Sequence, residues 1–273
     1  MSEAVLIHPT AIVSTDAEIG AGVRVGPCAV IEPGAKIGDG SRIEAFAHIY
    51  GSVSMGKNCH IFEYTSIGSD PQDHDFGSER TFVRIGDDVL IRENVSIHRA
   101  TGEGNETVVG SGTWLMEGCH VAHNVILGEH CVVTNKAGFS GHVHVDHHAV
   151  IGGLSGFHQF VKVGAYAMVG GMAKIIKDVP PYSMVDGNPA RVRGLNIVGL
   201  RRNGFTQEQR TRIKAVYKFL YSGEIGRREA IAALEERFPG DEFAAEIALF
   251  ARSLKRGLTR WYRGRGDKSG GLE

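Results

Sequence analysis

Read from Ile7 in steps of six, the chain places an apolar residue at almost every stop. The series runs Ile7, Val13, Ile19, Val25, Ile31, Ile37, Ile43, Ile49, Met55, Ile61, Ile67, fails at Asp73 and Glu79, and resumes with Ile85, Ile91 and Ile97. It fails again at Glu103, then continues from Val109 through Leu115, Val121, Leu127, Val133, Phe139, Val145, Ile151, Phe157, Val163 and Val169 to Ile175. Of 29 stops, 26 are apolar, in a chain that is 42% hydrophobic overall. The residue after the stop is often glycine (Gly38, Gly86, Gly128, Gly152), and the fourth after it is small (Ala29, Ala47, Cys59, Cys119, Cys131, Ala149). A six-residue period matches neither a helix nor an alternating strand. It matches a parallel β-helix, in which short strands and tight corners alternate. With three hexads per coil, residues 18 apart stack at the strand spacing of about 4.8 Å. Twenty-nine hexads amount to nearly ten coils.

The three failures fall in two polar, turn-rich stretches, "GSDPQDHDFGSERT" and "HRATGEGNET", and the period resumes in phase after each. They are expected as loops near 68–84 and 99–108 thrown out of a continuing coil, and such loops often carry function. After Ile175 the stretch "KDVPPYSMVDGNPARVRG" leads out of the repeat. From Thr206, an N-cap residue type, the pattern becomes helical: Ile213, Val216, Tyr217 and Leu220 form a stripe that ends before Gly223. Further helices are expected near 227–237 and 241–256, the second capped by Asp241, and the tail "RGRGDKSGGLE" is expected to be disordered. The domain division is therefore 1–190 for the β-helix and 191–273 for a helical domain. A three-sided prism with apolar sides suggests side-by-side packing into a homotrimer.

Bulk properties narrow the function classes. A net charge of −1 gives no global attraction to nucleic acid or to a membrane surface. No apolar run of about 18 residues is present to span a bilayer. The N-terminus lacks the basic-then-apolar order of a signal peptide. Of the four cysteines, Cys28, Cys59, Cys119 and Cys131, none forms a CxxC pair, and three occupy the small-residue position of a hexad. The expectation is reduced interior thiols in a cytoplasmic protein.

Candidate chemistry concentrates in "GCHVAHNVILGEHC", which holds His120, His123 and His130. His120 and His123 flank the inward Val121. His142 is expected one coil up and one position round from His123, with His144 and His158 in the same neighbourhood. Three readings compete: surface filler; a zinc site built from His120 and His123 with His142 or His147, as in carbonic-anhydrase-type β-helix enzymes; and an unmetallated imidazole as general base, since its pKa lies near neutrality.

The motifs "IHPTAIV", "IGSDPQD", "VSIHRAT", "HVAHN", "FSGHVHV", "IGGLSGFHQFVKVG", "VPPYSMVDGNPARVRGLN" and "GLRRNGF" together resemble the UDP-N-acetylglucosamine O-acyltransferase family that begins lipid A biosynthesis in Gram-negative bacteria. The resemblance covers nearly the whole chain. It implies a mainly β fold, a left-handed parallel β-helix of hexapeptide repeats with a C-terminal α-helical domain. It implies transfer of a 3-hydroxyacyl group from acyl carrier protein to the sugar 3-hydroxyl, by direct attack and without a resident cofactor or metal. The resemblance gives His123 the general-base role and makes Gly141 the expected source of the backbone N–H for the oxyanion. Asp73, His120, His142, Gln159, Asn196 and Arg202 resemble sugar-nucleotide ligands. His158 and Met168 resemble walls of the acyl groove, and Gly171 its far end. Between Arg191 and Lys218 there are eight basic residues and one acid, Glu208, a balance suited to an acidic carrier protein.

Two positions depart from the family pattern. Asn124 follows the histidine where the best-known members have aspartate; an amide can hold a tautomer but cannot stabilise an imidazolium by charge. Asp75 replaces a lysine, so two acids are expected near the sugar, which would suit a cationic 3-amino acceptor. The N-acyltransferase acting later in the same pathway shares the hexads, but it carries a preceding uridine-binding domain for which hexads starting at Ile7 leave no room. A non-catalytic scaffold would not explain clustered histidines beside a glycine-rich wall.

Overall fold

The computed structural model describes residues 4–223 and 226–262. The tail expected to be disordered lies outside the described residues. Twenty-six strands of two to four residues run from Leu6–Ile7 to Lys174–Ile175. Consecutive strands belong to different sheets and every third strand pairs in parallel, so the chain winds round three faces. Val25 pairs with both Ile7 and Ile43, the register that three hexads per coil demand.

The loops reset that register without breaking it. His60 pairs with Leu90, and Leu90 with Trp114. The first step exceeds one coil by two hexads and the second by one. These are the stops that failed at Asp73, Glu79 and Glu103. Those hexads lie outside the coil. The prism therefore has just under nine coils, not nearly ten.

The apolar stops fill the bore. From Val25 to Ile175 every apolar stop is buried, and Phe139 stacks on Phe157 with centroids 4.7 Å apart. Each buried Val, Ile, Leu or Phe contributes about 1.5–3 kcal/mol. Glycine after the stop reflects close approach of coils: a Cβ on Gly152 would lie 2.4 Å from the backbone carbon of Gly170. The left-handed backbone falls two residues later, as at Asn124 (φ 57°) and His142 (φ 60°). Burial pushes the Cys59 and Cys119 thiols up to about 11 and Cys131 up to about 12, so all three are inert protonated fillers.

Strands Ser183–Gly187 and Ala190–Leu195 form an antiparallel hairpin on the eleven-stranded sheet. The helices follow: α1 (Ile197–Arg202), α2 (Gln207–Tyr221), α3 (Arg227–Ala232), α4 (Leu234–Arg237) and α5 (Glu242–Arg252). α1 is an element the periodicity did not reveal, being under two turns long and capped by the Asn196 side chain. α2 starts at a Thr206–Gln209 capping box and buries Ile213, Val216, Tyr217 and Leu220 as expected. The expected helix near 227–237 is divided at Ala233, and the last helix stops at Arg252 rather than 256.

The last helix stops early because the chain turns back to the prism. The fully buried Asp178 carboxylate accepts the N–H groups of Lys162, Lys255 and Arg256 at 2.8–3.0 Å. Thr259 donates both its N–H and its hydroxyl to the Asp178 carbonyl at 2.8 Å. One aspartate thus joins the last coil to the segment after α5.

Candidate active site

The hexad ladder decides which side chains can meet. Val121, Phe139 and Phe157 stack in successive coils of one sheet. The second residues after them, His123, Gly141 and Gln159, therefore stack along one corner. Their neighbours His120 and Asp73, the latter on the first loop, join them round a cavity of about 480 Å³.

His123 is 7% exposed, and its ring is held by the second loop. Asn124 Oδ1 accepts the Thr101 N–H and hydroxyl, each at 2.9 Å, while Asn124 Nδ2 donates to the Thr101 carbonyl at 3.0 Å. Turning the amide over would set NH₂ against N–H, so these contacts fix which atom is oxygen. That oxygen lies 2.8 Å from His123 Nδ1. In the neutral ring Nδ1 must then carry the proton, and Nε2 keeps its lone pair. Asp73 Oδ2 stands 3.9 Å from Nε2. Asn124 adopts left-handed backbone, which asparagine tolerates better than most residues, and its own N–H donates to Thr107 Oγ1 at 2.9 Å.

Gly141 lies against the same ring. A Cβ there would stand 2.4 Å from His123 Cε1 and Nε2, so a side chain displaces the imidazole. Among the described residues the Gly141 N–H has no acceptor within the chain. A free N–H beside an unprotonated Nε2 is an arrangement able to bind a developing oxyanion.

Two further imidazoles stand close by: His120 lines the cavity, and His142 packs on His123 without lining it. His142 meets His123 edge to face, centroids 5.3 Å apart, and stacks on Phe160. Burial, and then the nearby His123, lower its pKa. His120 is likewise lowered, by burial and then by His98, and its Nδ1 bonds Ser96 Oγ at 2.8 Å. Both are neutral at neutral pH and offer one donor and one acceptor each.

Comparison with known proteins follows the same outline. The family described as "Udp N-acetylglucosamine O-acyltransferase; Domain 2" matches residues 178–259, and "Bacterial transferase hexapeptide (six repeats)" matches 106–141. An acyl-[acyl-carrier-protein]–UDP-N-acetylglucosamine O-acyltransferase of Thermodesulfovibrio yellowstonii is 41% identical over 255 residues, 93% of this chain and 99% of that protein. The chain belongs to the acyl-[acyl-carrier-protein]–UDP-N-acetylglucosamine O-acyltransferases. A family member from Myxococcus xanthus is 40% identical over the same coverage. The solved Acinetobacter baumannii enzyme superposes with TM-score 0.89 at 37% identity, covering 93% of this chain and all of that one. The Bacteroides fragilis structure gives 0.90 at 37% identity, with the same two coverages. The left-handed β-helix is thereby the fold of this acyltransferase as well.

Within one chain of this family member, the remaining expected residues are not among those lining the His123 cavity. His158 is exposed, with Nδ1 3.0 Å from the Gln159 carbonyl oxygen. Met168 sits on the eleven-stranded sheet, paired with Met184. A Cβ at Gly171 would touch only the Gly153 carbonyl, at 3.4 Å, so a side chain can be accommodated. Asn196 caps α1 and donates to the Tyr166 carbonyl at 2.9 Å, and Arg202 is exposed in the last turn of α1.

Two expectations are corrected. His144 does not share this neighbourhood: it lies on the eight-stranded sheet, 3.3 Å from Asp146, because a strand position past a corner faces another side of the prism. His147, offered as a third zinc ligand, bonds His148 at a different corner. Among the described residues no group of three His, Cys, Asp or Glu side chains is disposed to hold a metal ion. The periodic reading missed His98, which lines the cavity and packs on His120 at 5.2 Å. Val121 pairs with Ile97 across the second loop, which sets His98 directly beneath Ala122. Skipping the failed hexad when counting back from Ala122 would have found it.

Proposed function

We propose that the chain transfers a 3-hydroxyacyl group from acyl carrier protein to the glucosamine 3-hydroxyl of UDP-N-acetylglucosamine, the first step of lipid A biosynthesis, with His123 as general base. The observation that carries the base assignment is the Thr101–Asn124 latch, which leaves Nε2 unprotonated. Nε2 accepts the proton of the 3-hydroxyl as its oxygen attacks the thioester carbonyl. The tetrahedral oxyanion meets the Gly141 N–H. Collapse breaks the C–S bond, and the imidazolium returns the proton to the leaving thiolate. No acyl-enzyme forms. An imidazolium at His123 lacks a carboxylate on its Nδ1 side, so Asp73 at 3.9 Å is its nearest negative charge.

In this reading residues 1–190 carry the chemistry and 191–273 carry the basic surface for the carrier protein. No cofactor or metal is required, since the acyl group arrives activated on its phosphopantetheine. Asn196 and Arg202 do not line this cavity, and their expected role is met if a neighbouring copy presents them, which fits a homotrimer. The described residues include no helix long and apolar enough to cross a membrane, and a cytoplasmic location suits both substrates.

A 3-amino sugar nucleotide is the second acceptor to test. Asp73 lines the cavity, but Asp75 is exposed and contributes its backbone N–H to Asp73 Oδ1 at 3.1 Å. One carboxylate rather than two faces the acceptor, which favours the hydroxyl. Turnover of UDP-N-acetylglucosamine and its 3-amino analogue, with 3-hydroxyacyl carrier proteins of several lengths, decides it. Faster turnover of the hydroxyl acceptor is expected; amide formation as the dominant reaction would replace this reading, and transfer to neither would end it.

A further inference from the structure

A second cavity, of about 630 Å³, lies at the far end of the prism, between the Ser183–Leu195 hairpin and the segment after α5. That segment returns as a short parallel partner of the hairpin. Val192 donates to the Arg260 carbonyl and accepts from the Tyr262 N–H, both at 2.9 Å. Val192 is fully buried, so its neighbours Arg191 and Arg193 share the opposite face of the strand. Arg260 and Tyr262 flank Trp261 in the same way.

Three guanidinium groups thus line one cavity. None of Arg191, Arg193 and Arg260 has a carboxylate within 4.0 Å or a side-chain hydrogen bond among the described residues. Arg193 lies over the Tyr262 ring, its Cζ 3.7 Å from the centroid, which holds the guanidinium by its face and leaves its N–H edges free. Trp261, half-buried, and Asn188 close the sides. Three positive charges without a carboxylate partner among the described residues repel one another, and an anion that bridges them removes that repulsion while making bidentate contacts. The volume lies within the usual range for small-molecule sites.

We propose that this cavity binds a diphosphate-bearing ligand, with nucleoside diphosphates as the class that also uses the aromatic wall. The site is separate from the acyl-transfer cavity and shares no lining residue with it.

The test is calorimetric titration of the full chain with inorganic pyrophosphate and with ADP, the arginine variants locating any binding in this cavity rather than in the acyl-transfer cavity, which none of these arginines lines. Saturable binding of both is expected, tighter for ADP and accompanied by a change in tryptophan fluorescence in a Trp114→Phe background. Arg191→Gln with Arg260→Gln is expected to weaken pyrophosphate binding by at least about tenfold, the loss of two charge-assisted contacts. Arg193→Lys, which keeps the charge and loses the fork, weakens it by a smaller factor. Absence of saturable binding in the parent protein overturns the proposal, as does unchanged affinity in the double variant. A higher KM for acyl carrier protein in the double variant, with no pyrophosphate binding in the parent, overturns it too and assigns the arginines to the carrier surface.

Discussion

Replacing Asn124 separates two things a neighbour can do for an imidazole base, holding its tautomer and stabilising its charge. The amide oxygen accepts Nδ1–H at 2.8 Å and the amide nitrogen holds the Thr101 carbonyl at 3.0 Å. Asn124→Asp keeps an oxygen at Nδ1 and adds a negative charge in contact with the ring. An opposite charge at this range shifts a pKa by about 1–3 units, here upward, because it favours the imidazolium. The acid limb of kcat/KM reports the free base. It should therefore move up by about 1–3 pH units, with activity retained above it. Asn124→Ala removes the acceptor instead. The net worth of such a hydrogen bond, about 0.5–1.5 kcal/mol, corresponds to a fall of about 2- to 13-fold in kcat/KM across the pH range. Alanine at φ 57° also costs about 1–2 kcal/mol of backbone strain, which urea unfolding reads separately from kcat. The assay is initial-rate acyl transfer across acid to mildly alkaline pH for both variants. An acid limb unmoved in Asn124→Asp, or an Asn124→Ala variant as inactive as one lacking His123, would refute the latch.

Three other outcomes follow from the geometry. Gly141→Ala places a methyl group 2.4 Å from His123 Nε2 and should lower kcat by at least about tenfold with little change in urea midpoint; near-normal kcat would mean the ring has room the structure does not show. His120 has its pKa lowered in the folded chain by burial, so the unfolded chain takes up the proton first, and its stabilising contribution is lost as pH falls below about 6.5. The urea midpoint of His120→Gln should therefore fall less than that of the parent as pH drops from neutrality through that value, and parallel curves would contradict the assignment. Gly171→Met should leave the melting temperature within a few degrees and shift preference to shorter acyl donors; an unchanged length profile would remove Gly171 from the groove.

Much of this was legible in the residues because a β-helix converts sequence spacing into spatial stacking. Val121, Phe139 and Phe157 recur at the coil period and stack, so His123, Gly141 and Gln159 could be set on one corner from the sequence alone. The register across the loops was less accessible. Strands there pair over longer separations, and a uniform step hides His98 and overstates the number of coils. His144 was misplaced because a corner turns the chain by one face, a change of direction that a linear spacing does not carry. α1 is too short for a periodic stripe. The consequence of Asn124 lay beyond sequence, since the amide's orientation depends on Thr101, on the second loop. Asp75 looked like a second acid at the sugar, yet its backbone rather than its carboxylate serves the site.

The central claim is that His123 Nε2 removes the acceptor proton. Its most direct test is the rate of 3-hydroxyacyl transfer from acyl carrier protein to UDP-N-acetylglucosamine by His123→Gln, with sugar-nucleotide binding measured on the same sample. A loss of about 10²- to 10⁴-fold in kcat with binding preserved is predicted for removal of a general base. A variant retaining more than about a tenth of parental kcat would contradict the account and move the base to another residue of the cavity.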